Sequence, residues 1–460
     1  MLPTLALIGT KKSRFLVAIL LGLATASFYA SLIPDDPFWF DEVFTANLTT
    51  FRTSPGEVVK RVGEGDAHPP LHYLYIWTCA KATGLWGSAV EAPPPGVERT
   101  LRSCNLPIVA LTGATFGFLL PPPLAALGVG LLLGTNTYAK KAVEARMYPM
   151  LGLFLLLAVV GVLHSRPWLF GISSLLAIYT HYLAILFLAP LVLYVGIQGY
   201  SHKGWKGLLP LSPLLLFLPW LPAFLQQASA GTNAWLRPAP YLALYAYADL
   251  GSHFLVSLLL LSLLLLGVWQ ERKSPKGLAL LAIAAFPVLW ATQATLGPNT
   301  VSERYFGAFV PPFLFATLFV APNWLLRLLF PGLALAALLP PWAIWLDPPR
   351  FNEDYTLMAS FLKKVEERGP LLVLGNERGR LVSLRYYHRS ESTFKLIEKE
   401  DVENIPPRFA VLYFGGAAAT NLGILVAELD EKAKKLGYRR GLVPPGGGVI
   451  LPYYERTKKH

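Results

Sequence analysis

Apolar residues fill long stretches of the first 346 positions, and charged residues seldom interrupt them. A helix crosses a bilayer with about 20 mostly apolar residues, so eleven of these stretches are predicted to be transmembrane helices. Their predicted limits are residues 15–33, 104–120, 122–138, 147–164, 168–182, 183–199, 208–225, 252–269, 278–296, 305–321 and 325–346. The pattern therefore predicts a polytopic α-helical membrane protein.

One further apolar stretch, Leu71 to Trp86, is short, and Pro69-Pro70 begins it. If this stretch lies along the membrane interface, the lysines and arginines of the connections gather on one side, as the positive-inside rule expects. If it crossed the membrane, they would be divided between both sides. We therefore predict an interfacial helix here, a cytoplasmic N-terminus and an extracytoplasmic C-terminal domain.

The N-terminus has two interpretations. Lys11, Lys12 and Arg14 precede an apolar run, as in a secretory signal. The run continues to Ile33, which is long enough to span a membrane. We therefore predict that the first helix is retained and not cleaved.

Charge becomes dense only after the last apolar stretch, which divides the chain into two predicted domains. Residues 1–349 form the membrane domain, in which residues 34–101 are the first extracytoplasmic loop. Residues 350–460 are as charged as a soluble protein, and alternating helical and strand patterns predict a small α/β domain. The predicted tail elements are helices at 355–367 and 424–436 and strands at 371–374, 409–414 and 448–451.

The composition excludes several classes of protein. Charged residues make up 15% of the chain and hydrophobic residues 54%, whereas soluble proteins are roughly a quarter charged. The net charge of +12 does not indicate nucleic-acid binding, because much of the excess lies in short loops between apolar spans. The two cysteines, Cys79 and Cys104, are too few for a disulfide framework or a cysteine zinc site.

The first candidate for chemistry is Asp41-Glu42, which follows the aromatic run Phe38-Trp39-Phe40 just beyond the first span. Removing a carboxylate from water costs several kcal/mol or more, so paired acids at a membrane edge suggest acid/base work or cation binding. Ordinary solvated loop acids are the alternative.

Further polar residues lie at span ends or in loops on the predicted outer side. His68 precedes Pro69-Pro70 at a helix start, where exposed backbone N–H groups suit a phosphate. Arginine grips phosphate with two parallel hydrogen bonds. The other candidates in this group are Glu144, Arg146, His181 and Arg304. Taken singly, they have simple alternatives, such as a surface Glu144–Arg146 pair or a packing role for His181. Together on one predicted face, they favour a single extracytoplasmic site.

Five motifs follow one another in an order that resembles the GT-C superfamily of membrane glycosyltransferases. The closest resemblance is to the branch with protein O-mannosyltransferases and lipid A aminoarabinose transferases. The motifs, spread over residues 15–320, are WFDEVFTANL (39–48), HPPLHYLYIW (68–77), VEARMYPML (143–151), YTHY (179–182) and ERYFGAFVPP (303–312). Val143 departs from the usual bacterial pattern, in which glutamine precedes Glu-Ala-Arg.

The resemblance implies a donor with one sugar on a polyprenyl phosphate, used at the outer face of a prokaryotic inner membrane. Asp41 would act as base on the acceptor or position it, with Glu42 beside it as a second catalytic candidate. The residues implied near the donor phosphate are His68, Arg146, Tyr148, Arg304 and Tyr305. Glu144 and His181 are further site candidates.

A cofactor is not fixed by the resemblance, because some relatives use a divalent metal and others do not. If Mg, Mn or Zn is present, the implied ligands are Asp41, Glu144 and His68. The sugar, the prenyl chain and the acceptor, which could be a lipid, glycan or protein hydroxyl, also stay open.

The chemistry is consistent with an inverting single displacement, which needs a carboxylate near the acceptor and positive charge on the departing phosphate. Retention through a glycosyl-enzyme intermediate stays open. A lipid or glycan transporter would have a similar number of spans, but it should carry ionisable residues at mid-membrane and repeated halves. A non-catalytic scaffold would give no reason for acids, histidines and arginines to share one face.

Overall fold

The computed structural model is predominantly helical and forms two compact units. It describes residues 11–50, 54–85, 96–229, 239–248, 253–297, 300–346, 355–367, 369, 371–375, 384–388, 393–405, 407–414, 421–441, 449–450 and 453–456. The first unit consists of Met1–Pro34, Gly56–Tyr75 and Arg102–Pro349. The second consists of Asp35–Pro55, Ile76–Leu101 and Arg350–His460.

Sixteen α-helices precede the C-terminal domain within the described ranges. They are α1 Lys11–Leu32, α2 Phe40–Thr49, α3 Pro55–Gly65, α4 Leu71–Ala82, α5 Val97–Ser103, α6 Leu106–Leu119, α7 Pro122–Leu133, α8 Asn136–Ala142, α9 Tyr148–Leu163, α10 Pro167–Thr180, α11 Leu183–Lys203, α12 Leu221–Ser229, α13 Phe254–Gln270, α14 Pro275–Leu296, α15 Val310–Val320 and α16 Asn323–Leu346. Three 3-10 helices cover Gly204–Trp220, Pro240–Tyr247 and Glu303–Phe309. Every predicted span coincides with helical structure.

The predicted span 208–225 differs from a simple α-helix. It is 3-10 helix up to Trp220 and becomes α12 from Leu221. Pro210, Pro213 and Pro219 lie inside the 3-10 segment. A proline ring clashes with the carbonyl group of the preceding turn of an α-helix, which disfavours α-helix in this segment, although α16 remains α-helical around three prolines of its own.

The first unit has the helices of an integral membrane protein. Among the residues that the structure describes, four helical segments are long and apolar enough to cross a membrane: Lys12–Leu32, Leu183–Ser229, Pro275–Leu296 and Asn323–Leu346. Four shorter apolar helices accompany them. On α16, large side chains such as Leu338 and Trp342 are exposed, which suits a surface in contact with lipid.

Helix α9 is enclosed by the rest of this unit, and 14 of its 16 residues are buried. Its close approach to α10 depends on Gly161, where a Cβ atom would lie 2.6 Å from the backbone nitrogen of Phe170. Helix α9 begins with the predicted site residue Tyr148, and Arg146 lies in the turn directly before it, so this core fixes where both residues lie.

The C-terminal domain of the second unit contains the predicted α/β structure. Its strands are β1 Leu372–Gly375, β2 Thr393–Leu396, β3 Arg408–Phe414, β4 Tyr438–Gly441, β5 Val449–Ile450 and β6 Tyr453–Arg456, and its helices are α17 Tyr355–Glu366, α18 Lys399–Glu403 and α19 Asn421–Lys435. The sheet order is β2-β1-β3-β6-β4, with β5 paired to β3. Strand β1 is parallel to both β2 and β3, whereas β6 runs antiparallel to β3 and β4.

The predicted tail elements match the observed ones closely. The helices predicted at 355–367 and 424–436 are α17 and α19, and Gly437 follows α19 with a φ of +77°, as a helix-ending glycine should. Val449–Ile450 forms β5 inside the predicted strand, whose ends at Gly448 and Leu451 lie outside the described residues. A further strand, β6, follows it.

Candidate functional site

His68 lies in the loop before α4 and is paired with an acid that the motif reading did not include. Its Nδ1 is 3.0 Å from Oδ1 of Asp66, which also accepts the backbone N–H of Ala67 at 2.7 Å. The side chains are only 15% and 10% exposed. Burial tends to raise the pKa of Asp66, but His68, the charge of Arg146 and the Tyr73 hydroxyl outweigh it and hold that pKa below its usual value. Asp66 therefore stays ionised and orients the His68 ring.

Four rings continue from His68 through the first unit, and we call His68, His181, Tyr305 and Tyr148 the ring cluster. The His68 and His181 centroids are 5.0 Å apart, and those of His181 and Tyr305 are 4.9 Å apart. Tyr148 follows at 6.0 Å from Tyr305. His181 accepts the backbone N–H of Leu183 at Nδ1, which fixes its ring. The fold thus brings four predicted residues from distant parts of the chain into one row.

Arg146 lies in the turn between α8 and α9 and is 2% exposed. Its Nη1 donates to the Tyr73 hydroxyl at 3.1 Å. The turn is held by Asn105, whose Nδ2 donates to the carbonyl oxygens of Glu144 and Arg146 at 2.5 and 3.0 Å. A buried guanidinium in a braced turn is a preorganised anion-binding group.

Glu144 is not part of a surface pair. It is 2% exposed, and its Oε1 lies 2.5 Å from Nζ of Lys141. The same ammonium group is 5.1 Å from the ring centroid of Tyr148. Lys141 therefore links Glu144 to the ring cluster.

His72, on α4, is fully buried, and neither ring nitrogen has a hydrogen-bond partner among the residues that the structure describes. Burial lowers its pKa well below the usual value, and the charge of Arg146 lowers it further. His72 is therefore neutral at pH 7.

Arg304 lines a cavity of about 650 Å³ in the first unit. Three basic side chains and one acid face this cavity: Lys140, Lys141, Arg304 and Glu303. Thr137, Ser302 and Tyr241 contribute polar groups to the same wall. The lining carries net positive charge, which suits an anionic group.

Asp41 and Glu42 belong to the second unit, where they form the first turn of α2. The backbone oxygen of Trp39 accepts the N–H groups of Glu42 and Val43, both at 3.0 Å. Glu42 is fully buried, whereas Asp41 is partly exposed. Acids in a first turn interact favourably with the positive end of the helix dipole, which stabilises both carboxylates.

A metal has no ready-made site in the part of the chain that the structure describes. No group of three or more histidine, cysteine, aspartate or glutamate side chains there could hold a metal ion. Metal dependence, which the sequence leaves open, is therefore a question for experiment.

The polar residues described above include Asp66, Lys141 and Asn105, which were not among the candidates predicted from the sequence. Asp66 stands two residues before His68, and Lys141 stands one helical turn before Glu144, so spacing offered a signal for both. Asn105 is 39 residues from Glu144 and had no local signal.

Comparisons with known proteins identify the fold. No protein-family model matches the chain, and a search of curated proteins finds no match. The crystal structure of ArnT from Cupriavidus metallidurans in the apo state has a TM-score of 0.57 and 11% identity, over 95% of this chain and 97% of that one. The ArnT structure bound to undecaprenyl phosphate has a TM-score of 0.54 and 12% identity with the same coverage. The chain therefore has the fold of ArnT, which confirms the predicted polytopic helical membrane fold with a small C-terminal α/β domain.

Proposed function

We propose that this protein is a membrane glycosyltransferase that moves a sugar from a polyprenyl-phosphate donor to an acceptor hydroxyl. The observation that carries the proposal is the likeness of nearly the whole chain to ArnT, which has been seen with undecaprenyl phosphate bound. A fold alone hosts many activities, so the reaction must also be supported by the residues present.

The departing group in this reaction is a prenyl phosphate, which leaves as an anion. Arg146 and the Asp66-oriented His68 provide buried, hydrogen-bonding groups that can stabilise that charge as it develops. Arg304 contributes to the net positive cavity beside Lys140 and Lys141. Tyr148 and Tyr305 pack against each other in the ring cluster, where Tyr305 also contacts His181.

Attack on the sugar requires deprotonation of the acceptor hydroxyl. We assign Asp41 as the base or acceptor-positioning carboxylate and Glu42 as its neighbour on the same helical turn. A single displacement of this kind inverts the anomeric centre. The proposal places the reaction on the extracytoplasmic face of a prokaryotic inner membrane, with the N-terminus in the cytoplasm. The acceptor is a hydroxyl of a lipid, a glycan or a protein.

The test uses the purified full-length chain in proteoliposomes with a panel of undecaprenyl-phosphate-linked hexoses and pentoses. Release of undecaprenyl phosphate is measured together with sugar transfer to added lipid, glycan and peptide acceptors. The variants are Asp41→Asn and Arg146→Gln, with Asp36→Asn as a matched control five residues before Asp41. A parallel set with a chelator tests metal dependence.

We expect release by the wild type and by Asp36→Asn, and loss of release in Asp41→Asn. Arg146→Gln should weaken the use of donor. Full activity of Asp41→Asn would refute the assignment of the base while leaving the donor class intact. If no donor is consumed and a labelled prenyl phosphate instead crosses the bilayer, the protein is a transporter and the proposal is wrong.

A further inference from the structure

The second unit joins three parts of the chain that are far apart in sequence, and one tyrosine lies where they meet. The backbone N–H of Phe38 donates to the Tyr387 hydroxyl at 2.7 Å. The same hydroxyl donates to Oε1 of Glu98 at 3.0 Å. One side chain of the C-terminal domain therefore contacts both segments of the first loop.

Tyr387 is itself held firmly within the C-terminal domain. It ends a short helical turn at residues 384–387, whose Leu384 is fully buried in the core against α17 and β1. Directly after it, Nε2 of His388 lies 2.9 Å from Oε2 of Glu366 at the end of α17. Core packing and this polar contact fix the turn, so the hydroxyl of Tyr387 has a defined position.

The contact reaches α2 through very few residues. Phe38 is fully buried, and its ring centroid lies 6.4 Å from that of Tyr386. Trp39 follows as the N-cap residue, and α2 begins at Phe40. Asp41 and Glu42 are therefore three and four residues from the amide that Tyr387 binds.

A second, exposed link joins the same two segments. Nη1 of Arg99 lies 3.1 Å from Oδ1 of Asp35, but the two side chains are 52% and 80% exposed. Exposed pairs of this kind contribute little. The contact of Tyr387 with Phe38 and Glu98, in contrast, is largely shielded from solvent and joins the C-terminal domain to the residues directly before α2.

We infer that the C-terminal domain holds the first turn of α2 in place, and that Tyr387 is a positioning residue for Asp41 and Glu42. This inference rests on the proposed function, in which Asp41 is the carboxylate that acts on the acceptor. Tyr387 touches neither substrate in this assignment and acts only through the backbone of Phe38 and the side chain of Glu98.

The test compares Tyr387→Phe, which removes the hydroxyl and keeps the ring, with Tyr453→Phe. Tyr453 is a matched control in the same domain, because its hydroxyl accepts a hydrogen bond from Arg408 inside the sheet. Two quantities are measured for each full-length variant. The first is the rate of transfer, given as kcat per molecule that binds donor and as KM for the donor. The second is the rate of amide hydrogen exchange in peptides that cover α2 and the sheet.

For Tyr387→Phe we expect kcat per binding-competent molecule to fall about tenfold or more with little change in KM, since small displacements of a catalytic group are costly. Exchange should speed up in α2 and stay unchanged in the sheet, whereas Tyr453→Phe should leave kcat and α2 exchange unchanged. A merely structural defect would produce misfolded protein. Such protein does not affect kcat here, because kcat is calculated per molecule that binds donor.

The inference is overturned if Tyr387→Phe keeps wild-type kcat and wild-type exchange in α2. It is also overturned if Tyr453→Phe produces the same changes, because the effect would then be general to the domain. If the wild type itself transfers no sugar, the proposed function fails, and the exchange measurement alone decides whether Tyr387 holds α2.

Discussion

Replacement of Asp66 tests the acid that sequence reasoning missed. Asp66→Asn keeps the size of the side chain and removes its charge, so its bond to His68 becomes a neutral one. A hydrogen bond to a charged group is worth about 1.5–3 kcal/mol and a neutral one about 0.5–1.5 kcal/mol. The difference of about 1–1.5 kcal/mol corresponds to a loss of roughly 5- to 12-fold in kcat/KM for the donor. Asp66→Ala removes the hydrogen bond to His68 altogether, together with the charge, and should lower kcat/KM for the donor by up to about 150-fold.

The assay is release of undecaprenyl phosphate at several donor concentrations, with each variant matched for folded protein. Glu64→Gln serves as the control, because this exposed acid lies two residues before Asp66 and undergoes the corresponding change. A second series places Asp66→Asn on a His68→Gln background, where the Asp66 change should have little further effect, since partners in one contact are not additive. The reasoning is refuted if Asp66→Asn and Asp66→Ala both keep kcat/KM within about twofold. The reasoning would also be refuted if Asp66→Asn lowered kcat/KM equally strongly on the His68→Gln background.

Three further predictions follow from buried positions in the first unit. Arg146→Lys should weaken use of the donor by about tenfold or more in kcat/KM, because an ammonium group cannot reproduce the guanidinium fork next to Tyr73; wild-type kcat/KM in this variant would contradict that role. Below about pH 6.5, His72 stays neutral in the folded protein because its pKa is lowered, whereas the unfolded chain takes up a proton at this position. The free energy of unfolding of the wild type should therefore fall by up to about 1.4 kcal/mol for each pH unit below that point. His72→Phe should make this fall less steep. An unchanged pH slope in melting experiments would count against it. Gly161→Ala should destabilise by about 1–3 kcal/mol, because its Cβ would approach the backbone of Phe170 to 2.6 Å, and an unchanged melting temperature would contradict the close contact between α9 and α10.

The membrane fold could be predicted from the sequence because its signal is local. An apolar stretch shows its length and its charged ends, so all eleven predicted spans fall on helices. The type of helix was not predicted for the segment from Gly204 to Trp220, which is a 3-10 helix and not an α-helix. Its three prolines favour the 3-10 form. In the tail, the short strands β2, β4 and β6 were missed, because each is four residues long and includes charged residues, whereas the equally short β1 has the apolar run Leu-Val-Leu.

The site was predictable only as far as motifs extend. His68, Arg146, His181 and Tyr305 stand in recognisable motifs, and the fold places them within one buried region. The groups that brace these residues come from elsewhere in the chain. Asn105 braces the turn of Arg146 from 41 positions away, and in the second unit Tyr387 contacts Glu98 across 289 positions. Such contacts arise from tertiary packing and not from local pattern.

The contact between Tyr387 and Glu98 joins residues 289 positions apart, and this separation has a consequence for how the protein matures. At a translation rate of about 5–20 residues per second, the ribosome needs roughly 15–60 s to make the tyrosine after the glutamate. Throughout that interval the nascent chain contains the helix with Asp41 but lacks the partner that steadies it. If Tyr387 positions Asp41 as inferred, a product that terminates before Tyr387 would carry every apolar segment and still lack the proposed activity. That activity would then arise late in synthesis, after the membrane helices have been made.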